Sequence, residues 1–437
     1  MASDSLEPPL GLMGMPAEIL LEICANLCSH CSDIPINLKK DLLSLSMTSK
    51  HLRAIALPVL HHDARPRRLR SFLRTITEQP DLAAQVRRFG NIDRDIGQEY
   101  VPGNYGGCSN KLMKEMMDDM ISSHYRLLGT TLAKLTNAKR LSINLPFYNG
   151  FKLKDSFKVS ISVSMESVTR LSLKPWFKFD LGQMGDLLAM MPRLERLKVK
   201  GCTIVGRELP LANLRSLTLD YSDLGPWGMC RIVFSCPRLE HLDLGFTKRM
   251  EDSPTWPVEF ERGKLSWSLV QRMLQSQRQT LKHLRLEFGR KSHSIRRVEQ
   301  KEYFGSFCEF DGLESLWVLK DSFGSKDNDG RFPTFPESVQ HLVSMLPESL
   351  TCISFSGFHK EWNGVQVMAQ AIQEGYFPRL KRVMVEKFHI FHDSEKAELG
   401  YYQELFTALG VCFEVLDDEE METKWKQHIT AVYPWKF

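Results

Sequence analysis

From residue 135 to residue 390 the chain repeats one short pattern, in which an apolar residue is followed three and five positions later by two more. Nine segments match this pattern at an average spacing of roughly 30 residues, a period typical of repeat proteins. The alternation of the last two apolar positions predicts a short strand with one buried face. The middle apolar residues of the nine segments are Leu141, Leu171, Leu197, Leu217, Leu242, Leu284, Leu316, Ile353 and Val383.

Several segments between these strands carry apolar residues at helical spacing instead. They cover residues 184–191, 266–276, 338–346 and 365–373. A strand with a return helix at this period is the layout of a leucine-rich-repeat protein, and the chain resembles that family from about residue 135 to residue 390. The resemblance implies an α/β solenoid shaped as an irregular horseshoe, since only Cys202 stands where the family has a regular Asn or Cys ladder. The alternative is an α/β domain with unrelated strands.

Residues 13–60 show a different pattern, that of three short helices. Pro16 suits the first turn of a helix, whose apolar face would consist of Ile19, Leu20, Ile23 and Leu27. A second helix is indicated by Leu38, Leu42 and Leu45. Thr48 or Ser49 can cap a third helix, which Pro58 should end. Three short helices bury too small a core for good independent stability, so this unit should dock on a partner or on the rest of the chain.

This helical segment resembles an F-box. The resemblance is carried by MPAEILLEI at residues 15–23, DLLSL at 41–45 and SK at 49–50. Met15 replaces the usual opening leucine at similar volume, and roughly ten extra residues lie between Leu27 and Asp41. Together with the HLRAIALPVLHHDARPRRLRSFLRTI stretch that follows, the segment is similar to F-box proteins of filamentous fungi.

The resemblance implies a substrate-recognition subunit of an SCF-type cullin–RING ubiquitin ligase. The F-box would bind the Skp-family adaptor by helix-in-groove packing, through Met15, Pro16, Ile19, Leu20, Ile23, Leu42 and Leu45. The repeats would hold a target protein near the ubiquitin-loaded enzyme, and the receptor itself would do no chemistry. The alternative is a repeat scaffold unconnected to ubiquitin ligases, with the N-terminal helices as its cap.

Aromatic residues near the strand ends are candidates for the target-binding surface, because exposed aromatic side chains are common binding hot spots. They are Trp176, Tyr221, Phe246, Trp317, Phe358 and Trp362. The alternative is that most of them fill the core. Trp227 and Trp267 lie in helical stretches and are expected in the core.

The patterns divide the chain into four parts: an F-box-like unit at 13–60, a basic helical linker at 61–134, the repeats at 135–390 and a C-terminal cap at 391–437. The linker is expected to contain a degenerate first repeat at Val86–Phe89. The 57 Lys and Arg against 53 Asp and Glu leave a net charge of +4, too small for a protein built around nucleic acid or a membrane surface.

Charge is nonetheless clustered in two places. Seven Arg lie between residues 65 and 88. The apolar residues among them have helical spacing, so we expect an amphipathic helix with the arginines on its solvent-exposed face. These apolar residues are Leu69, Phe72, Leu73 and Ile76. The alternative is a nucleic-acid or import signal. Acidic residues between 414 and 422 are expected to form a solvated face or tail.

Candidate chemistry is sparse. Cys24, Cys28, His30 and Cys31 form the one Cys/His cluster of the sequence, but zinc sites typically use two spaced pairs of ligands and no second pair follows nearby. We therefore expect helix-end packing, no metal and no cofactor. The run 61–63 (HHD) is not expected to bind a ligand.

Motifs for phosphate binding, hydrolase nucleophiles and zinc peptidases are absent from the sequence, so no enzyme is expected. The acidic N-terminus with Pro8 and Pro9 is not a secretory signal, and no apolar stretch is long enough to span a membrane. Reduced cysteines and a cytoplasmic or nuclear location are expected.

Overall fold

The computed structural model describes residues 12–28, 31, 39–91, 111–145, 164–175, 179–222, 224–246, 267–287, 305–319, 339–358, 363–387 and 393–432. Within these ranges the chain is a mixed α/β protein with thirteen α-helices and a twelve-stranded parallel sheet. It divides into two compact units between Ser172 and Leu173. No helix in the described ranges has the length and apolarity needed to cross a membrane.

The strands, in chain order, are β1 (Asp63–Ala64), β2 (Arg88–Gly90), β3 (Arg140–Leu145), β4 (Arg170–Pro175), β5 (Phe179–Asp180), β6 (Arg196–Lys200), β7 (Cys202–Ile204), β8 (Ser216–Ser222), β9 (His241–Phe246), β10 (His283–Glu287), β11 (Ser315–Leu319), β12 (Cys352–Phe358), β13 (Arg382–Lys387) and β14 (Cys412–Leu416). In the main sheet the neighbours follow chain order, while β5 and β7 pair only with each other.

The helices are α1 (Ala17–Asn26), α2 (Lys39–Thr48), α3 (Lys50–Leu60), α4 (Leu69–Glu78), α5 (Pro80–Gln85), α6 (Lys111–Lys134), α7 (Gly185–Ala189), α8 (Pro226–Phe234), α9 (Trp267–Leu274), α10 (Val339–Met345), α11 (Asn363–Gln373), α12 (Asp393–Ala408) and α13 (Asp418–Val432). Each of the four helical segments predicted between the repeat strands overlaps one of these helices.

All nine repeat segments form strands, which confirms the strand predictions. The middle apolar residues also lie in register, with Leu242 opposite both Leu217 and Leu284. The same row continues from Leu316 to Ile353. One row of buried leucine-like side chains therefore runs across the strands of the second unit, because each strand presents the same position of the pattern to the same face.

Two further strands extend this row at its ends. Phe89 on β2 lies opposite Leu141, which agrees with the degenerate repeat predicted at Val86–Phe89. Strand β14 was expected only as part of a cap, yet its Phe413 lies opposite Val383 in the same register.

The same pair of backbone hydrogen bonds recurs where successive strands begin. The carbonyl of Glu240, just before β9, accepts hydrogen bonds from the N–H groups of Lys282 at 2.8 Å and His283 at 3.0 Å. The carbonyl of His62, just before β1, likewise accepts from Arg87 at 3.0 Å and Arg88 at 2.8 Å. The chain after α3 is thus already fixed in the same manner as the later repeats.

In the first unit, helices α1, α2 and α3 share a small core of Cys24, Cys28, Leu42, Ala56 and Val59. Helix α3 begins after Ser49, whose side chain accepts a hydrogen bond from the Leu52 N–H at 3.1 Å. It continues through Pro58 to Leu60, so the prediction that the proline ends the helix was wrong. Pro58 has no N–H to donate to the carbonyl four residues earlier, yet helical bonding goes on past it, since the His61 N–H donates to the Leu57 carbonyl at 3.3 Å.

Helix α4 confirms the amphipathic interpretation of the arginine-rich stretch. Leu69 and Ile76 are buried, whereas the side chain of Arg74 is mostly exposed beside Glu78.

Candidate functional site

The three N-terminal helices expose an unusual number of large apolar side chains. Ile19 on α1 is 45% exposed and Met47 on α2 is 79% exposed. We call the whole set the exposed apolar residues of the three-helix unit: Leu12, Met15, Ile19, Leu21, Leu43 and Met47. Apolar side chains in such numbers on a soluble surface mark an interaction site when they are contiguous.

The seven residues predicted to contact an adaptor fall into three groups. Met15, Pro16 and Ile19 are exposed, and Ile23 and Leu45 are half-buried.

Leu20 and Leu42 are instead core residues, with 0% and 1% exposure. Leu20 shares the inward face of α1 with Cys24, four residues later, and Leu42 packs in the core of the three-helix unit. Neither side chain therefore presents a surface to a partner. The sequence analysis missed Leu43 and Met47, whose i, i+4 spacing on α2 places them on one face of that helix.

In the second unit, helix α13 packs against the face of the strands that does not carry the repeat leucines. Its residues Met421 and Trp425 join Trp317, Cys352 and Met384 in one buried cluster. Trp317 is fully buried, with its ring centroid 5.5 Å from that of Trp425 and the Arg285 guanidinium 3.9 Å above it. Trp317 is therefore a core residue and not the target contact that the sequence suggested, because the expected C-terminal cap folds onto it.

Polar contacts border this cluster. Arg285 pairs with Asp243 at 3.7 Å and with Glu422 of α13 at 4.0 Å. The Nε2 of His428, also on α13, lies 3.1 Å from the Oγ of Ser315. Burial lowers the pKa of His428 to about 4, and the charge of Arg382 adds to this shift. The imidazole of His428 is thus neutral at neutral pH.

The other predicted target contacts are not placed. Trp176 and Trp362 lie outside the described residues, and so do the side chains of Tyr221, Phe246 and Phe358, which stand at or near the ends of β8, β9 and β12.

Helix α8 carries the exposed aromatic side chains that the sequence analysis missed. Trp227 is 82% exposed and Phe234 is 64% exposed, so the expectation of Trp227 in the core was wrong. The two residues are seven positions apart and therefore share one face of the helix. Among the described residues no element covers that face. The opposite, packed face consists of Met229, Ile232 and Val233.

A Cys/His cluster joins the end of α1 to the end of α3. The ligand atoms of Cys28, Cys31 and His62 all lie within 4.8 Å of one another, and the Sγ of Cys31 is 3.6 Å from the Nδ1 of His62. Burial lowers the pKa of His62, and the Arg87 guanidinium lowers it further, so its ring nitrogen can act as an acceptor at neutral pH. His30 lies outside the described residues.

Cys24, which the sequence placed in the same cluster, faces the helical core instead. The sequence signal for the observed group was present in two pieces: a C-x-x-C spacing at residues 28–31 and the HHD run at 61–63. Only the fold brings the two pieces together.

No protein-family model matches this sequence, and no curated protein matches it.

Proposed function

We propose that this chain is a substrate-recognition subunit of an SCF-type cullin–RING ubiquitin ligase. In this proposal α1–α3 form an F-box that binds the Skp-family adaptor, and the strands from β3 onward belong to a leucine-rich-repeat solenoid that holds a target protein. The observation that carries the proposal is the set of exposed apolar residues on α1 and α2, within the segment that resembles an F-box.

The exposed apolar residues favour a docking function because they are costly to leave in water. Fully burying one exposed large apolar side chain contributes about 1.5–3 kcal/mol, and Ile19, Met47 and their neighbours would each contribute the part of this that belongs to their exposed fraction. The core beneath them is small, and small helical units commonly gain stability from a partner. Helix-in-groove packing supplies such a partner surface.

The target would bind elsewhere in the chain. The strand face around Trp317 is covered by α13, so the proposal assigns the target contact to exposed aromatic residues such as Trp227 and Phe234 on α8. The receptor would act by concentrating its target near the ligase, with no catalytic group of its own. Such a protein would work in the cytoplasm or the nucleus, where its cysteines remain reduced.

The test is co-purification of the full chain with the Skp-family adaptor. We expect the wild type to bind and the double variant Ile19→Asp/Met47→Asp to lose binding by at least tenfold, since two charges would be buried in an apolar groove. Both side chains are exposed, so the variant should fold normally, as circular dichroism and thermal unfolding would show.

Trp227→Asp is the control, because it places a negative charge on an apolar position of the other unit that is 82% exposed, close to the 79% of Met47. It should retain adaptor binding. Leu20→Asp is unsuitable, since Leu20 lies in the core. Failure of the wild type to bind the adaptor would contradict the proposal and favour a repeat scaffold unconnected to ubiquitin ligases.

A further inference from the structure

The end of α1 and the end of α3 bring two thiol groups and one imidazole close together. Cys28 is buried at the end of α1, and Cys31 lies three residues later at the surface. His62 follows α3 after one intervening residue. Their ligand atoms lie within 4.8 Å of one another, although Cys28 and His62 are separated by more than thirty positions in the sequence.

The distance between the ligand atoms of Cys31 and His62 matches that between two ligands of one metal ion. Zinc binds cysteine sulfur at about 2.3 Å and histidine nitrogen at about 2.1 Å, and a tetrahedral angle then separates the two ligand atoms by about 3.6 Å. The Sγ of Cys31 lies 3.6 Å from the Nδ1 of His62. An ion could therefore be bound there with little movement of either side chain.

Backbone hydrogen bonds hold the ligands in these positions. The Cys31 N–H donates to the Cys28 carbonyl at 3.0 Å. The His62 N–H donates to the Val59 carbonyl at 3.1 Å, and the His62 carbonyl accepts from Arg87 and Arg88. Ligands on a fixed backbone lose little conformational entropy when they bind an ion.

We propose that Cys28, Cys31 and His62 bind a zinc ion, with solvent as the fourth ligand. The donor set of two thiolates and one imidazole is typical of zinc; three protein ligands with a water molecule is the arrangement of catalytic zinc sites, whereas most structural sites have four protein ligands. On binding, the ion replaces the two thiol protons, which pass to solvent, so that Zn²⁺ with two thiolates and a neutral imidazole has no net charge. No redox step is involved.

The ion would act as a structural cross-link. It would join the end of α1 to the end of α3 and so close the small core formed by α1, α2 and α3. Small units of this kind are commonly stabilised by a metal or a disulfide. The zinc site does not depend on the proposed adaptor binding, and its test uses a different readout.

The experiment measures the metal content of the full chain after purification under reducing conditions. The protein is dialysed first against Zn²⁺ and then against metal-free buffer, which removes unbound zinc. We expect one zinc per chain in the wild type and background zinc in Cys31→Ser and His62→Asn. Cys31 lies at the surface, so the serine side chain itself should not disturb the packing of the core. Cys412→Ser removes an exposed cysteine outside the cluster and should retain the full zinc content.

Cobalt substitution provides a second readout. We expect Co²⁺ to give thiolate-to-metal charge-transfer absorption in the wild type and in Cys412→Ser, and none in Cys31→Ser. A chelator should lower the melting temperature of the wild type but not that of Cys31→Ser. Substoichiometric zinc in the wild type, a Cys28–Cys31 disulfide in its place, or equal zinc in all variants would overturn the proposal.

Discussion

Trp317 and Trp227 show how differently one residue type is used in this chain. Trp317 lies in a strand and is enclosed by Trp425, Met384 and the Arg285 guanidinium. Trp227 lies in the first turn of α8 and is 82% exposed. The free energy that each contributes to folding should differ accordingly, because truncating a buried tryptophan removes both its burial and its contacts.

We predict that Trp317→Ala lowers the free energy of unfolding by about 3–5 kcal/mol. Trp227→Ala should change it by no more than about 0.5 kcal/mol, as for other exposed positions. Denaturant titration followed by circular dichroism would measure both. Equal stability losses in the two variants would contradict the burial assigned to them.

The residue scale is where sequence reasoning reached its limit. It identified the repeat leucines correctly, because strand alternation places them on one face whatever packs there. It did not identify Leu20 and Trp317 as buried, because the burial of each depends on the element that packs against it. The inward face of α1 is fixed by α3, and Trp317 is covered by α13, about one hundred residues later in the chain.

At the scale of elements, local sequence patterns predicted helices and strands better than they predicted which single residues are buried. The period of the pattern predicted nine strands, and helical spacing predicted α4 and the helices of the repeats. Strand β14 was missed because Gly410 stands three residues before Phe413, where the pattern requires an apolar residue, and because the strand lies in an acidic region. The charges there are partly used in the fold: Glu414 pairs with Lys424 and with Arg382, the latter at 3.8 Å.

Helix α13 provides a pH-dependent contribution to stability through His428. The pKa of this residue is about 4 in the folded protein, because of burial and the nearby Arg382 charge, against an ordinary value of about 6.5. Its Nε2 lies 3.1 Å from the Ser315 Oγ, and His283 also lies close enough for the charges of the two rings to interact.

Between these two pKa values the unfolded chain binds the proton and the folded chain does not, so stability rises with pH. The contribution of His428 is fully present above about pH 6.5 and is lost as the pH falls towards 4. Because the side chain is partly exposed, we expect a loss of about 1–2 kcal/mol and not the full value of the pKa shift.

Urea unfolding at pH 7 and pH 4.5 would measure this loss. His428→Gln keeps a polar side chain that can contact Ser315 but cannot titrate, so its stability should fall less over the same range. His341→Gln is a matched control, since it removes a histidine from α10 and should leave the loss seen in the wild type unchanged. A parallel pH dependence in wild type and His428→Gln would contradict the assignment.

At the scale of the whole molecule, the strand order in the parallel sheet determines which strands stabilise one another. In the main sheet each inner strand pairs with the main-sheet strands before and after it in chain order, and the Leu242–Leu284–Leu316 row passes through three successive strands. In the proposed solenoid, stability is approximately a sum over repeats and the contacts between neighbouring repeats. The sequence could predict this order from its period alone, whereas the closure of one strand face by α13 depends on contacts that no local pattern encodes.

The consequence can be tested at Leu284 on β10, which is fully buried. Leu284→Ala should lower the stability of the second unit by about 2–5 kcal/mol, from lost burial and the cavity left behind. In native-state hydrogen exchange, protection should fall most for the amides of β9, β10 and β11, and less for those of β6 and β8. Leu21→Ala, which truncates an exposed leucine on α1, should leave these strands unchanged. A uniform loss of protection from β6 to β14 would show that the second unit unfolds in one cooperative step and not by neighbouring repeats.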